Sequence, residues 1–162
     1  MTTRSPSASA VTTTSHDYTN CLEVHAPLPQ VIASLTDDAV ISRWWTAATR
    51  SERRGHDVRL FMSNGALMAA FTIEHAPGTN EVTWAVTACI IADWIGTKPS
   101  FTIRPDDDGT CAIEFRHVGL QPALECFEQC RAGWDYFMPS LHRFLETGEG
   151  RPNEPREAAA QS

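Results

Sequence analysis

From Asp57 to Val118 apolar and polar residues alternate with period two, the repeat of a β-strand whose successive side chains point to opposite faces. Val58, Leu60 and Met62 share one face while Asp57 and Arg59 share the other. Leu67, Phe71 and Ile73 oppose Thr72 and Glu74; Val82, Trp84 and Val86 oppose Thr83 and Thr87; Phe101 and Ile103 oppose Thr102 and Arg104. Between these runs lie the turn sequences "SNG" at 63–65, "APGTN" at 76–80 and "PDDDG" at 105–109. The segment predicts an antiparallel meander with one apolar and one wet face. A further strand, "YTNCLEV" from Tyr18 to Val24, is expected ahead of it and ends at Pro27 and Pro29.

Elsewhere the repeat is helical. "QVIASLT" places Val31 and Leu35 four apart, and "AVISRWW", with Asp38 able to cap it, makes an i, i+3, i+4 cluster of Ile41, Trp44 and Trp45. Two short helices are therefore predicted after the first strand. A long one is predicted from Leu124 to Thr147, ended by Gly148. On it Cys126, Phe127, Cys130, Trp134, Phe137, Met138, Leu141, Phe144 and Leu145 fall within an arc of roughly 120°, the width of a core-facing stripe, with Gln129, Tyr136 and Arg143 opposite. Pro139 removes the hydrogen bond to the Asp135 carbonyl and is expected to kink this helix. The class is α+β, and a kinked helix laid on a curved sheet leaves room for a cavity beneath it.

The strand "TCAIEFRHV" carries the first candidate chemistry. Period two puts Cys111, Ile113, Phe115 and His117 on the inward face and Glu114 and Arg116 outward, where they read as a solvated surface pair. An inward histidine needs a hydrogen-bonding partner, whether protein, water or ligand, because burying it without one costs a few kcal/mol. Gly119 follows at once, so His117 stands at a sheet end, where cavities open.

A chain of 162 residues, 42% of them hydrophobic, suits one domain. We expect that domain over 17–149, with disordered tails at 1–16 ("MTTRSPSASAVTTTS" leads it) and at 150–162. The formal net charge of −7 sets no broad basic field for nucleic acid or anionic lipid. No apolar run approaches the roughly 20 residues of a membrane span, and no signal-peptide layout opens the chain, so no membrane insertion and a cytoplasmic location are expected. Five cysteines without a C-x-x-C pair suggest neither a disulfide framework nor a zinc ribbon. Cys126 and Cys130, spaced i, i+4, read as small buried hydrophobes rather than a metal clamp or redox pair. No metal and no cofactor are expected.

Three stretches, "LTDDAVISRWWT", "DWIGTKPSFTIRPDDDGTCAIEFRHVGL" and "GWDYFMPSLHRFLETGEGRP", resemble the activator-of-Hsp-ninety-ATPase homologue family of the START-like (SRPBCC, polyketide-cyclase-like) superfamily. The resemblance runs from about Tyr18 to Pro152, with Trp44, Trp45, Trp94, Gly96, Thr97, His117, Gly119, Gly133, Trp134 and Leu141 at matching positions. It implies a helix-grip fold: a curved antiparallel sheet wrapped around a long C-terminal helix, two short helices after the first strand, and a hydrophobic cavity between sheet and helix. That superfamily spans carriers, receptors, cyclases and regulators, so the fold alone assigns no activity.

Three functions follow as expectations. The first is non-catalytic binding of a small hydrophobic molecule, aromatic or lipid-like, in a cavity walled by Trp44, Trp84, Trp94, Phe101, Phe115, Trp134, Phe137 and Met138 with His117 as the orienting polar group. The second is a cyclase, dehydratase or hydrolase using His117 as general acid or base, although no G-x-S-x-G, H-E-x-x-H or phosphate loop is present and no carboxylate shares the inward face of the His117 strand. The third is a protein-interaction module of co-chaperone kind, or a homodimer, working through exposed apolar residues such as Phe61 and Met68 on the outer sheet face.

Overall fold

The computed structural model of the chain describes residues 17–45 and 50–152. Seven strands, β1 (Tyr18–Val24), β2 (Arg50–Arg54), β3 (Asp57–Phe61), β4 (Leu67–Glu74), β5 (Glu81–Cys89), β6 (Lys98–Pro105) and β7 (Cys111–Val118), form one antiparallel sheet in the order β1-β7-β6-β5-β4-β3-β2. The first strand thus closes beside the last, as in a helix-grip sheet. Two short helices, α1 (Leu28–Thr36) and α2 (Asp38–Ile41), follow β1; the long helix α3 (Phe127–Thr147) comes last. Ala92–Trp94 form a single 3₁₀ turn between β5 and β6.

The alternation of the sequence sets which face is buried. In β7, Cys111, Ile113, Phe115 and His117 are buried, whereas Glu114, Arg116 and Val118 are exposed. On α3, Cys130, Trp134, Met138, Leu141, Phe144 and Leu145 are buried against that face. The helix ends at Gly148 in the left-handed conformation, φ 88°, where its N–H closes on the Phe144 carbonyl. α1 follows an extended Pro27 at its N-cap and carries Pro29 in its first turn, where the missing N–H has no helical partner to lose.

Several expectations are corrected. β2 was not predicted, because "RSERR" is a sheet edge facing water and shows no apolar alternation; short length and charge at an edge oppose pairing with other chains. Phe61 and Met68 are each half-buried rather than openly exposed. The Arg50 guanidinium covers the Phe61 ring at 4.0 Å, and a bulge between Leu60 and Phe61 lets Met68 pack against the core. Glu114 and Arg116 do not pair with each other: Glu114 bonds Arg104 at 2.5 Å and Arg116 bonds Asp17 at 3.0 Å, each across to a neighbouring segment. α3 begins at Phe127 rather than Leu124, after a turn. The cap of α2 is Asp37, whose carboxylate accepts from the Ala39 N–H, rather than Asp38.

The chain also stays packed past Gly150, where a tail was expected. A Cβ there would lie 2.7 Å from the Arg43 carbonyl, so only glycine lets the strand of chain approach, and the Arg151 N–H donates to Ser140 Oγ. Residues 1–16 and 153–162, the rest of the expected tails, lie outside the described residues. Among the described residues no helix is long and apolar enough to cross a membrane.

Candidate functional site

His117 sits near the end of β7, opposite Tyr18 of β1 and Pro99 of β6, with none of its surface exposed. The Trp134 indole N–H reaches its Nδ1 at 2.9 Å. An indole can only donate, so Nδ1 is the bare, accepting nitrogen and the ring proton is on Nε2. Nε2 faces Thr97 Oγ1 at 2.8 Å, and Thr97 in turn donates to the Trp94 carbonyl at 2.6 Å. A directed relay results: Trp134 to His117 to Thr97 to the backbone. Burial pushes the His117 pKa down to about 3, opposed only by the Asp17 charge. The ring is neutral at physiological pH and both nitrogens are engaged, so it has no proton or lone pair to offer a substrate without breaking one of these bonds.

Around it the predicted residues divide by depth. Trp44, Trp84, Phe101, Phe115, Trp134 and Met138 are at most 2% exposed and pack on one another. Ring centroids run 5.1 Å from Trp84 to Phe101, 4.9 Å from Phe101 to Phe115 and 4.4 Å from Phe115 to Trp134. The Trp44 and Trp84 indoles donate to the carbonyls of Ser34 and Leu35, which fastens α1 over the sheet. Trp94 and Phe137, by contrast, lie at the rim; Trp94 is 7% exposed and Phe137 half-buried.

A residue absent from the predicted site joins the rim. Trp45 stacks almost parallel to Trp134 at 6.0 Å and 7°, lies 6.3 Å and 17° from Trp94, and meets Phe137 edge-on at 6.3 Å. The adjacent "WW" was legible, but helical spacing does not say which of two neighbours meets a helix arriving from eighty residues away in sequence. One position before Trp134 and four before Phe137 stands Gly133, half-buried, where an added Cβ would meet no atom within 4 Å. The missing side chain therefore leaves open space, the notch referred to below, on the α3 surface one residue before Trp134.

The indole donors complete the electrostatics. Trp94 donates to Cys130 Sγ at 2.9 Å, so Trp44, Trp84, Trp94 and Trp134 each have an acceptor. Burial, with Cys130 and Asp93 adding to it, pushes the Cys126 thiol up to about 12, which keeps it protonated and unreactive. Among the described residues no group of three His, Cys, Asp or Glu is placed to hold a metal ion. A separate open groove of about 580 Å³ lies outside the grip, between α1 (Leu28, Ile32, Thr36) and the β4–β5 turn (Thr79, Asn80), and none of its lining belongs to the predicted set.

No family model matches the chain, and no curated protein matches it. Solved structures do. The Aha1 dimer from Colwellia psychrerythraea, known from a solution structure, superposes with a TM-score of 0.67 at 22% identity over 83% of this chain and 98% of that one. CalU16 from Micromonospora echinospora gives 0.59 at 14% identity over 90% and 83%. DynU16, from the dynemicin biosynthetic locus, gives 0.58 at 18% identity over 83% of this chain but 49% of that one, so the chain spans about half of DynU16. At these identities the likeness shows the fold alone, and it agrees with the resemblance read from the sequence: the chain has the helix-grip fold of these structures.

Proposed function

We propose that the protein binds a small, apolar, aromatic molecule without transforming it, and that the molecule lies against Trp45, Trp94 and Phe137 beside the Gly133 notch, with Trp134 packed behind them. The notch carries the reading. A glycine inside a helix is about 1 kcal/mol worse than alanine, and here no neighbouring atom needs the room that the missing side chain leaves. The aromatic side chains of Trp134 and Phe137, one and four residues on, offer large contact area with defined ring geometry. The deeper residues, including Trp84, Phe101 and Phe115, support the rim by filling the space behind it. His117 supports the non-catalytic half of the reading: its nitrogens are spent on Trp134 and Thr97.

Native mass spectrometry of freshly purified protein, repeated after denaturation, tests this. The expected result is a reproducible extra mass of a small organic molecule, lost on denaturation and weakened by Phe137→Ala. A bare mass that stays unshifted across a library of apolar aromatics would end the proposal.

A second reading, self-association, has its own observation. Ile90, Ile95 and Val118 are 59%, 52% and 39% exposed, and they follow β5, precede β6 and end β7, all at one end of the sheet. A structural neighbour is itself a dimer. Sedimentation of the wild type against Ile90→Lys and Ile95→Lys decides it: a dimer that the lysines dissociate is expected, and a concentration-independent monomer would dismiss it.

A further inference from the structure

Two hairpin turns at opposite ends of the sheet repeat one geometry. In the β3–β4 turn the Met62 N–H donates to the Ala66 carbonyl at 2.9 Å, the Gly65 N–H donates to the Met62 carbonyl at 2.9 Å, and Gly65 has φ 87°. In the β6–β7 turn the Asp106 N–H donates to the Thr110 carbonyl at 2.8 Å, the Gly109 N–H to the Asp106 carbonyl at 3.4 Å, and Gly109 also has φ 87°. The side chain before each glycine curls back to the N–H two residues on: Asn64 Oδ1 accepts from Ala66 at 2.9 Å, and Asp108 Oδ1 accepts from Thr110 at 3.1 Å. One turn holds an amide where the other holds a carboxylate.

We propose that Asn64 is a site of spontaneous covalent modification, deamidation through attack by the Gly65 backbone nitrogen, and that the folded chain keeps the aspartyl product in the turn. In this step the Gly65 nitrogen loses its proton to solvent base and bonds to Asn64 Cγ. The Cγ–Nδ2 bond breaks, and the amide nitrogen takes a proton from water and leaves as ammonia. Water then opens the five-membered imide at either carbonyl, which gives an aspartyl or an isoaspartyl residue. Water is the only co-reactant.

Each requirement has its group in the turn. The nucleophile is a glycine amide with no side chain to hinder it, and even an added Cβ at Gly65 would meet nothing within 4 Å. Asn64 is exposed, so base and water reach it. The electrophile is held in place, because a side chain that reaches the Ala66 N–H must pass over the Gly65 amide between them. That N–H also polarises the Asn64 side-chain carbonyl and stabilises the charge that gathers on Oδ1 during attack. The other described asparagines lack this set. Asn20 precedes Cys21 and its Nδ2 donates to Tyr18 Oη, and Asn80 precedes Glu81.

The β6–β7 turn shows that the product fits. Asp108 carries its carboxylate at the equivalent position, and the turn bonds around it are made. The β3–β4 turn stands at the end of the sheet that carries Ile90, whose N–H reaches the Met68 carbonyl at 3.0 Å, so the added negative charge falls at that end.

The test incubates the full chain, folded, at pH 7 and pH 9, beside the same chain unfolded in guanidinium chloride. The expected result in the folded sample is a gain of one mass unit and release of one equivalent of ammonia, faster at the higher pH. Fragmentation should place the gain at Asn64, and Asn64→Gln, whose attack would close a less favourable six-membered ring, should lose it. Asn64→Asp imitates the aspartyl product; its urea midpoint should equal that of the wild type, and its ¹H–¹⁵N cross-peaks should move only in and around the turn. No gain in the folded chain, or a gain confined to the unfolded one, would show that the turn shields Asn64 and would overturn the inference. An equal gain in Asn64→Gln would overturn it too. A lowered midpoint in Asn64→Asp would overturn the retention of the product in the fold.

Discussion

Along β1, α3 is held by directed polar bonds. Tyr18 Oη donates to Asp135 at 2.5 Å, Asn20 Nδ2 donates to the same Tyr18 oxygen at 2.8 Å, and the His25 backbone N–H and ring nitrogen reach Glu146 Oε2 at 2.7 and 3.0 Å. Along the opposite flank the same helix meets Trp45 edge-on through Phe137, leaves a notch at Gly133, and makes its polar contacts to either side of it, where Cys130 Sγ accepts the Trp94 N–H at 2.9 Å and Ser140 donates to the Trp44 carbonyl at 2.7 Å. Hydrogen bonds specify one register and break abruptly when a partner moves, whereas ring contacts tolerate sliding. One flank locates the helix; the other can admit a guest without losing its bonds.

The ridge between the flanks is Trp134, so Trp134→Ala has the largest expected effect. It removes a side chain 1% exposed and leaves His117 Nδ1 without a donor, a loss of about 3–5 kcal/mol in urea unfolding. A loss below about 1 kcal/mol would mean that the two flanks hold without the ridge.

Next comes pH. Burial holds His117 at about 3 in the folded chain against an ordinary 6.5. Between those values the unfolded chain takes up a proton that the folded chain refuses, so stability is full above pH 6.5 and falls as pH drops, by roughly 1.4 kcal/mol per unit and about 2 kcal/mol at pH 5. His117→Gln, measured by urea midpoints from pH 7 to pH 4, should flatten that part of the slope; an identical slope in both proteins would refute the assignment to His117.

On the polar flank, Tyr18→Phe should cost about 1.5–3 kcal/mol, the range of a hydrogen bond to a charged group. Burial first, and the bond to Asp135 second, raise the Tyr18 pKa to about 12. Ultraviolet titration should accordingly show a phenol that ionises late and disappears in Tyr18→Phe. The smallest effect belongs to the notch: Gly133→Ala should stabilise the helix by about 0.5–1 kcal/mol, since the added methyl meets nothing. Destabilisation instead would show that the notch is closed in solution.

How far these flanks could be read from the chain alone depends on the range of the interactions. The inward face of β7 and the apolar stripe of α3 were legible because a strand repeats every two residues and a helix every 3.6, so a local pattern carries them. β2 was silent: an edge strand that buries almost nothing leaves no periodic trace, and "RSERR" reads as loop. The partial burial of Met68 was not legible because the bulge at Leu60 and Phe61 shifts the register, and a bulge has no obligatory residue type.

The candidate site shows the same division. By sequence alone, period two turned His117 inward and the chemistry of imidazole demanded a partner for it. Only the tertiary structure chose Trp134 and Thr97 as the partners, and so made the ring a neutral link in a relay. Likewise the chain declared two adjacent tryptophans, but the packing of α3 against the segment after α2 decided that Trp44 is sealed onto α1 while Trp45 faces Trp134 and Phe137. Backbone geometry transmits which way a side chain points over a few residues. Which group it meets is settled by segments distant in sequence, brought together by burial of the whole core.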